Sequence, residues 1–284
     1  MFYSPLRYPG GKNKLSKFIE QICVDNKISG HYVEPYAGGA SVALYLLLEK
    51  KVQKITINDF DKSLYAFWWS VLNKTEILCN LIENTDITIE NWKKMKKIQQ
   101  QKETTSLIEL GFSTLFLNRT NRSGIINAGV IGGLDQKGNY KMDCRFNKLD
   151  IIRKIKLIAK HKKQIELYNL DAIDLIKNIK KESNNKNTIL YFDPPYFLKG
   201  PGLYMNSYKK NDHKRVSEEI QKIKNIHWIV SYDNHSEIKD IYKWVGKRKT
   251  IEFNVQHSAY ATRLGEEILF FSKNLQKINY SLIK

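Results

Sequence analysis

No proline interrupts the stretch between Tyr36 and Asp193 of this 284-residue chain; all six prolines are Pro5, Pro9, Pro35, Pro194, Pro195 and Pro201. That interval is free to be helical, and residues 61–82 and 89–117 mostly read that way. Cysteine is scarce too. Cys23, Cys79 and Cys144 form an odd, widely spaced set that supports neither a disulfide framework nor a zinc site. Long apolar runs are missing: the longest, Val42 to Leu48, has seven residues, against the roughly 20 that a membrane-spanning helix needs. The first residues hold no apolar segment of signal-peptide length. Acidic residues are in deficit, 29 against 47 Lys and Arg, which leaves +18 and a pI near 9.6. Such a balance modestly favours an anionic partner such as nucleic acid. With 42% hydrophobic residues the chain can bury a sizeable core, so whole-chain disorder is excluded. The expectation is a soluble, cytoplasmic protein of one large domain or two, with no membrane partner.

Glycine, in contrast, is concentrated. Gly124, Gly129, Gly132, Gly133 and Gly138 crowd into fifteen residues, with Asn and Asp among them, which predicts a β-hairpin or a looped excursion. A basic helical stretch follows at 149–163, then short β-like runs at 164–168, 188–192, 227–231 and 267–272, separated by helix-like segments. The architecture expected is α/β, built from both ends of the chain (1–60 and 165–284), with a helical insert at 61–164 bearing a hairpin near 119–147.

Three motifs carry chemistry. In the first, a strand ending at Glu34-Pro35-Tyr36 runs through Ala37-Gly38-Gly39-Ala40 to Ser41, read as a helix N-cap. Paired glycines admit a ligand to the backbone, and a helix start offers unpaired N–H groups. A second strand ends in Asp59, 21 positions after Gly38, the spacing of a ribose-binding carboxylate in a βαβ unit. A tight turn with a surface Asp explains this motif equally well by itself, and without a full G-x-G-x-x-G it argues against a nicotinamide dinucleotide. The second motif is stronger: the apolar run 188–192 delivers Asp193-Pro194-Pro195-Tyr196-Phe197. A carboxylate at a strand's carboxyl end, two residues without N–H donors and an aromatic ring suit a planar base with an exocyclic amine. The third, Arg7-Tyr8-Pro9-Gly10-Gly11-Lys12, is alone only a loop able to clasp a carboxylate-bearing ligand.

In this order and spacing the motifs resemble the Dam-type (D12 class) DNA adenine N6-methyltransferases over nearly the whole chain. The resemblance implies a Rossmann-like methyltransferase sheet with an inserted helical target-recognition domain bearing a β-hairpin. It implies S-adenosyl-L-methionine as cofactor, contacted by Tyr8, Lys12, Asp59 and Asp193, with Glu34, Tyr36, Gly38 and Gly39 in the turn against it and Asp171 near its adenine. Asp193, Pro194, Pro195 and Tyr196 would form the catalytic segment that holds the target base. It further implies base flipping, double-stranded DNA as partner, a restriction-modification or solitary marking role without a stable nuclease complex, a monomer or weak dimer, and no metal. The segment around the expected hairpin departs from GATC-reading members, and Tyr8 stands where Trp is common.

In that segment Arg119, Asn121, Arg122, Asn127, Gln136, Lys137, Asn139, Lys141 and Arg145 are of the types that read base edges or hold phosphates; Arg122 and Asn127 are the expected base contacts. A polar solvent loop would look similar. Ser231-Tyr232-Asp233-Asn234 sits where the family has a short S-N-like motif, and loop punctuation explains it as well. Two other functions stay open: a cytosine N4 or RNA adenine methyltransferase, and a catalytically silent DNA-binding module.

Overall fold

The structure, a computed structural model, describes residues 2–7, 15–182, 186–197, 208–257 and 263–282. Its elements run α1 (Ser16–Asp25), β1 (His31–Glu34), α2 (Ser41–Leu48), β2 (Lys54–Asn58), α3 (Lys62–Asn73), α4 (Thr75–Asn84), α5 (Ile89–Gln100), α6 (Leu107–Thr120), α7 (Lys148–Ala159), β3 (Ile165–Tyr168), α8 (Ala172–Glu182), β4 (Thr188–Phe192), α9 (Lys210–Gln221), β5 (His227–Asp233), α10 (Ser236–Ile241), β6 (Thr250–His257) and β7 (Arg263–Phe271). They form two compact units. One comprises Met1–Phe2, Lys12–Phe60 and Gln164–Lys284, the other Tyr3–Gly11 and Asp61–Lys163.

The first unit is a Rossmann-like α/β unit with strand order β3-β2-β1-β4-β5-β7-β6. Neighbours from β3 to β5 pair in parallel, and β7 inserts antiparallel between β5 and β6. All five residues of β4 are buried, which is why it reads as an unbroken apolar run rather than an alternation. Val33, Leu190, Phe192, Val230 and Phe270 pack with Leu175 and Ile176 of α8 and Val216 and Ile220 of α9. Phe18 of α1 meets Phe271 edge-on at 6.2 Å. Chain direction along the sheet reverses between β1 and β4, so the loops after these strands border the crevice where ligands bind in open sheets. The edge strand β6 was not foreseen, although Thr250-Ile251-Glu252-Phe253-Asn254 alternates as a one-sided strand should.

The second unit is helical. The segment 61–82, expected to be mostly helical, is so, with a break at Lys74 (φ −136°) that divides it into α3 and α4. Helices α3 and α6 approach so closely at Gly111 that a Cβ there would lie 2.5 Å from the Ala66 carbonyl oxygen. Buried Gln99 of α5 joins them, accepting from Ser63 at 2.8 Å and donating to Ser113 and Thr114 at 2.8 and 2.9 Å.

Two expectations are corrected here. The predicted hairpin near 119–147 is not a strand pair: among the described residues it is a run of turns with a single antiparallel bridge, Asn121 to Val130. Side chains take over the work of a ladder. The Gln136 amide donates to the carbonyls of Ile131 and Gly133 and accepts from Met142 N–H, fixing the loop from inside. The N-terminus also divides differently, since Tyr3–Gly11 belongs to the second unit and not to the sheet. The reason lies at the end of α6. The Asn118 amide accepts from Arg7 N–H and donates to Arg7 C=O, both at 2.7 Å, and Arg119 Nε donates to Pro5 C=O at 2.7 Å.

Candidate active site

The turn after β1 is built from beneath. Glu34 is 4% exposed, and its Oε1 accepts from the Tyr32 hydroxyl at 3.0 Å and from Ala43 N–H at 3.1 Å. The N-cap of α2 is therefore supplied by Glu34 and not by Ser41, which opens the helix without capping it; the residue before it, Ala40, takes a left-handed conformation (φ 48°). The expected cofactor contact at Glu34 becomes a buried support for the turn. Burial, reinforced by the charge of Asp193, pushes its carboxyl up to about 8.

This shift has a measurable consequence. The folded state holds a proton that the unfolded chain releases near the ordinary carboxylate value, so stability is full below about pH 4.5 and falls as pH rises towards about 8. Glu34→Gln keeps an acceptor and removes the titration. Its thermal melts are expected to lose that decline and to exceed wild type by more than about 1 kcal/mol at pH 9. A wild-type-like pH dependence in the variant would refute the assignment.

Gly38 N–H donates to Asp59 Oδ2 at 2.9 Å, so the two residues that the sequence spacing paired do meet, by contact with each other. Gly38 and Gly39 are buried and Tyr36 is half-buried, its hydroxyl 2.9 Å from that of Tyr208. Asp171 caps α8, accepting from Ile173 N–H at 2.8 Å. Sequence reasoning missed Asn58, which is fully buried. Its amide donates to Pro35 C=O (2.9 Å) and Leu170 C=O (3.0 Å) and accepts from Leu170 N–H (2.9 Å), tying the loops after β1, β2 and β3 together. A polar side chain closing an apolar strand was the available signal. Phe60, next to Asp59, was missed as well and is 60% exposed. Tyr8 and Lys12 lie outside the described residues.

Asp193 leaves β4 half-buried, its Oδ1 accepting from Ser231 Oγ at 2.7 Å. The Tyr191 hydroxyl is 2.9 Å from the same Ser231 oxygen. Pro194 and Pro195 are buried and bring no N–H to the loop. Tyr196, expected to lie against a base, is only 4% exposed and donates its hydroxyl to buried Glu267. As placed, its ring backs the loop, because a buried hydroxyl needs a partner and Glu267 provides one inside the sheet. Phe197 N–H donates to Asp233 Oδ1 at 3.0 Å, and its ring stacks on His235 at 4.8 Å. Ser231, Asp233 and Glu267 thus latch the loop at three points. Asp233 and Glu267 pair across β5 and β7, a relation invisible in the sequence order.

Among the candidate DNA contacts in the second unit, two are corrected. Asn121 is 0% exposed and donates to Ile125 and Ile126 carbonyls while accepting from Trp92 Nε1. Arg119 is buried on the carbonyls of Pro5 and Arg145. Both satisfy backbone carbonyls gathered around the end of α6. Gln136 is the loop's internal staple. Arg122, Asn127, Lys137, Asn139, Lys141 and Arg145 are exposed, as are the apolar side chains of Leu134 and Tyr140 beside them.

The description of the D12 class N6 adenine-specific DNA methyltransferase family matches residues 8–258. The chain is 23% identical over 221 residues to the Type II methyltransferase M.MjaIII of Methanocaldococcus jannaschii, covering 73% of each. It is 24% identical over 279 residues to the Type II methyltransferase M.CviBI of Paramecium bursaria Chlorella virus NC1A, covering 93% of this chain and 95% of that one. Among solved structures, the rRNA methyltransferase aviRa of Streptomyces viridochromogenes aligns with 95% of this chain and 88% of its own, at 8% identity and a TM-score of 0.39.

Proposed function

This chain belongs to the D12 class N6 adenine-specific DNA methyltransferase family, and on that premise we propose that it methylates adenine N6 at specific duplex sites, using S-adenosyl-L-methionine and flipping the target base. The observation that carries the reading is the placement of Asp193 at the carboxyl end of β4, beside the glycine turn of β1, at the point where the order of strands along the sheet reverses. A base inside a duplex cannot present its amine to such a crevice, so it has to leave the stack. The Asp193 carboxylate and the Pro194 carbonyl then accept the two amine hydrogens, orienting the nitrogen and increasing its electron density. Pro195 stiffens this loop, and Tyr196 holds it from behind through Glu267.

The donor set suits the cofactor. Acidic side chains of Asp59, Asp171 and Asp193 follow β2, β3 and β4 at one end of the sheet, complementary to a ligand with a sulfonium and an ammonium group, and exposed Phe60 offers a face for its adenine. When bound, S-adenosyl-L-methionine supplies the electrophilic methyl group. Tyr8 and Lys12 of the N-terminal motif are proposed to complete the site. The first unit is accordingly the catalytic one, and the exposed residues of the 122–145 loop carry recognition. The Type II methyltransferases among the relatives support a restriction-modification role.

Incubation with labelled cofactor and duplex DNA, single-stranded DNA or RNA, followed by nucleoside analysis, tests this. N6-methyladenine from duplex DNA is the expected product; N4-methylcytosine, label in RNA alone, or no cofactor binding by calorimetry would each overturn it. Phe60→Ala is expected to weaken cofactor binding about tenfold, with much less effect on turnover at saturating cofactor; equal affinity by calorimetry would exclude Phe60 from the site.

A further inference from the structure

The end of α6 gathers cations. One guanidinium, that of Arg119, donates from Nε to Pro5 C=O and from Nη1 to Arg145 C=O at 3.3 Å, so the N-terminal segment and the end of the glycine-rich loop converge on a single side chain. Arg7, two residues beyond Pro5, is fixed through both its backbone groups by Asn118. Its Nη1 is buried and has no hydrogen-bond partner among the described residues. Arg145 is exposed.

Three like charges are thus brought together by the fold, and they feel one another. Burial and then Arg145 hold Arg7 below its ordinary value, and burial followed by Arg7 draws Arg119 down to about 10. Asp150 eases Arg119, but its carboxylate is already paired with Arg153 at 2.7 Å and Lys154 at 2.8 Å. An orphaned guanidinium nitrogen beside a second cation is a poor arrangement for a free protein and a good one for a protein that receives an anion.

We propose that Arg7 and Arg145 form a clamp for one backbone phosphate of the DNA substrate, set by Arg119, which holds both segments and does not itself touch DNA. This rests on the reading of the chain as a DNA methyltransferase. Residue type alone did not single out Arg7, because in the sequence it opens the N-terminal motif read as clasping a carboxylate-bearing ligand; the fold assigns it to the helical unit. A planar guanidinium suits a phosphate oxygen pair, and a phosphate contact fixes register without reading sequence.

The test uses the full chain with Arg7→Gln, Arg145→Gln and the double substitution. Binding to a short duplex of arbitrary sequence is measured over a series of KCl concentrations. Each single variant is expected to bind about three- to tenfold more weakly, and the double variant to lose about one unit from the log–log salt slope. The melting temperature of the DNA-free double variant should equal or exceed wild type, since repulsion is relieved. The set of methylated sequences should not change. An unchanged salt slope, a lowered melting temperature that accounts for the lost binding, or an altered methylation motif would each overturn the clamp. If the wild type itself leaves duplex adenine unmethylated, the functional reading fails first. If it methylates normally while the variants keep its slope, only the clamp fails.

Discussion

Asp193→Ala is expected to abolish methyl transfer, lowering single-turnover rates by more than about a thousandfold, while the protein stays folded. The size of the loss follows from what is removed. A preorganised carboxylate acting on a developing positive charge at the amine is worth several kcal/mol in a water-poor crevice. Survival of the fold follows from the neighbours. The carboxylate is half-buried, and Ser231, on losing it, still has the Tyr191 hydroxyl at 2.9 Å, so Ser231 is not orphaned. Asp193→Asn keeps an acceptor without the charge and should retain a measurable remnant. Labelled-cofactor assays on duplex DNA, with melting curves as control, decide the matter; activity of the alanine variant within tenfold of wild type would reject Asp193 as the amine-binding group.

The largest loss of stability is expected from Gly124→Ala. Gly124 has φ +76°, in the left-handed region, and an added Cβ would drive into the Arg7 carbonyl oxygen, a backbone atom that Asn118 already holds. Gly124 C=O accepts from the same Asn118 amide at 2.8 Å, so neither side can give way without breaking that clasp. Left-handed strain of about 1 kcal/mol and an unrelieved clash of about 1–3 kcal/mol add up. The helical unit should lose about 3 kcal/mol in urea titrations, and the segment 3–7 should become sensitive to proteolysis. Gly129→Ala makes the control, since nothing lies within 4 Å of a Cβ there. Equal stability of the two variants would refute the account.

The central strands were legible because burial on both faces leaves an apolar run, as in β4, and because Gly38 and Asp59 announce a turn and a strand end. The break at Lys74 was not, since neither proline nor glycine marks it. Side-chain direction was the larger obstacle. Asn121 and Asn127 are the same residue type six positions apart, yet one is sealed under the loop and the other faces water; only the bridge to Val130 and the position of Trp92 decide which. Tyr196 likewise looked like an exposed ring until Glu267, 71 residues later, claimed its hydroxyl. Asn58 was marked only by its polarity at the end of an apolar strand, because its partners are backbone groups that any sequence provides.

The helical unit leaves the sheet after β2 and returns at β3, and these strands are neighbours, with Ile55 opposite Ile165. Exit and re-entry side by side make the insert an exchangeable cassette, the arrangement that tolerates grafting between relatives with different target sites. Yet the cassette is not contiguous. Its second piece is Tyr3–Gly11, which contributes the Pro5 and Arg7 carbonyls to Arg119 and Asn118. A chimera that transplants 61–163 alone would seat a foreign α6 against the resident N-terminus, and wherever that helix lacks Asn118 and Arg119 the Pro5 and Arg7 carbonyls lose their donors. Moving residues 3–11 together with 61–163 preserves the mortise, so retargeting by exchange requires two joints cut instead of one.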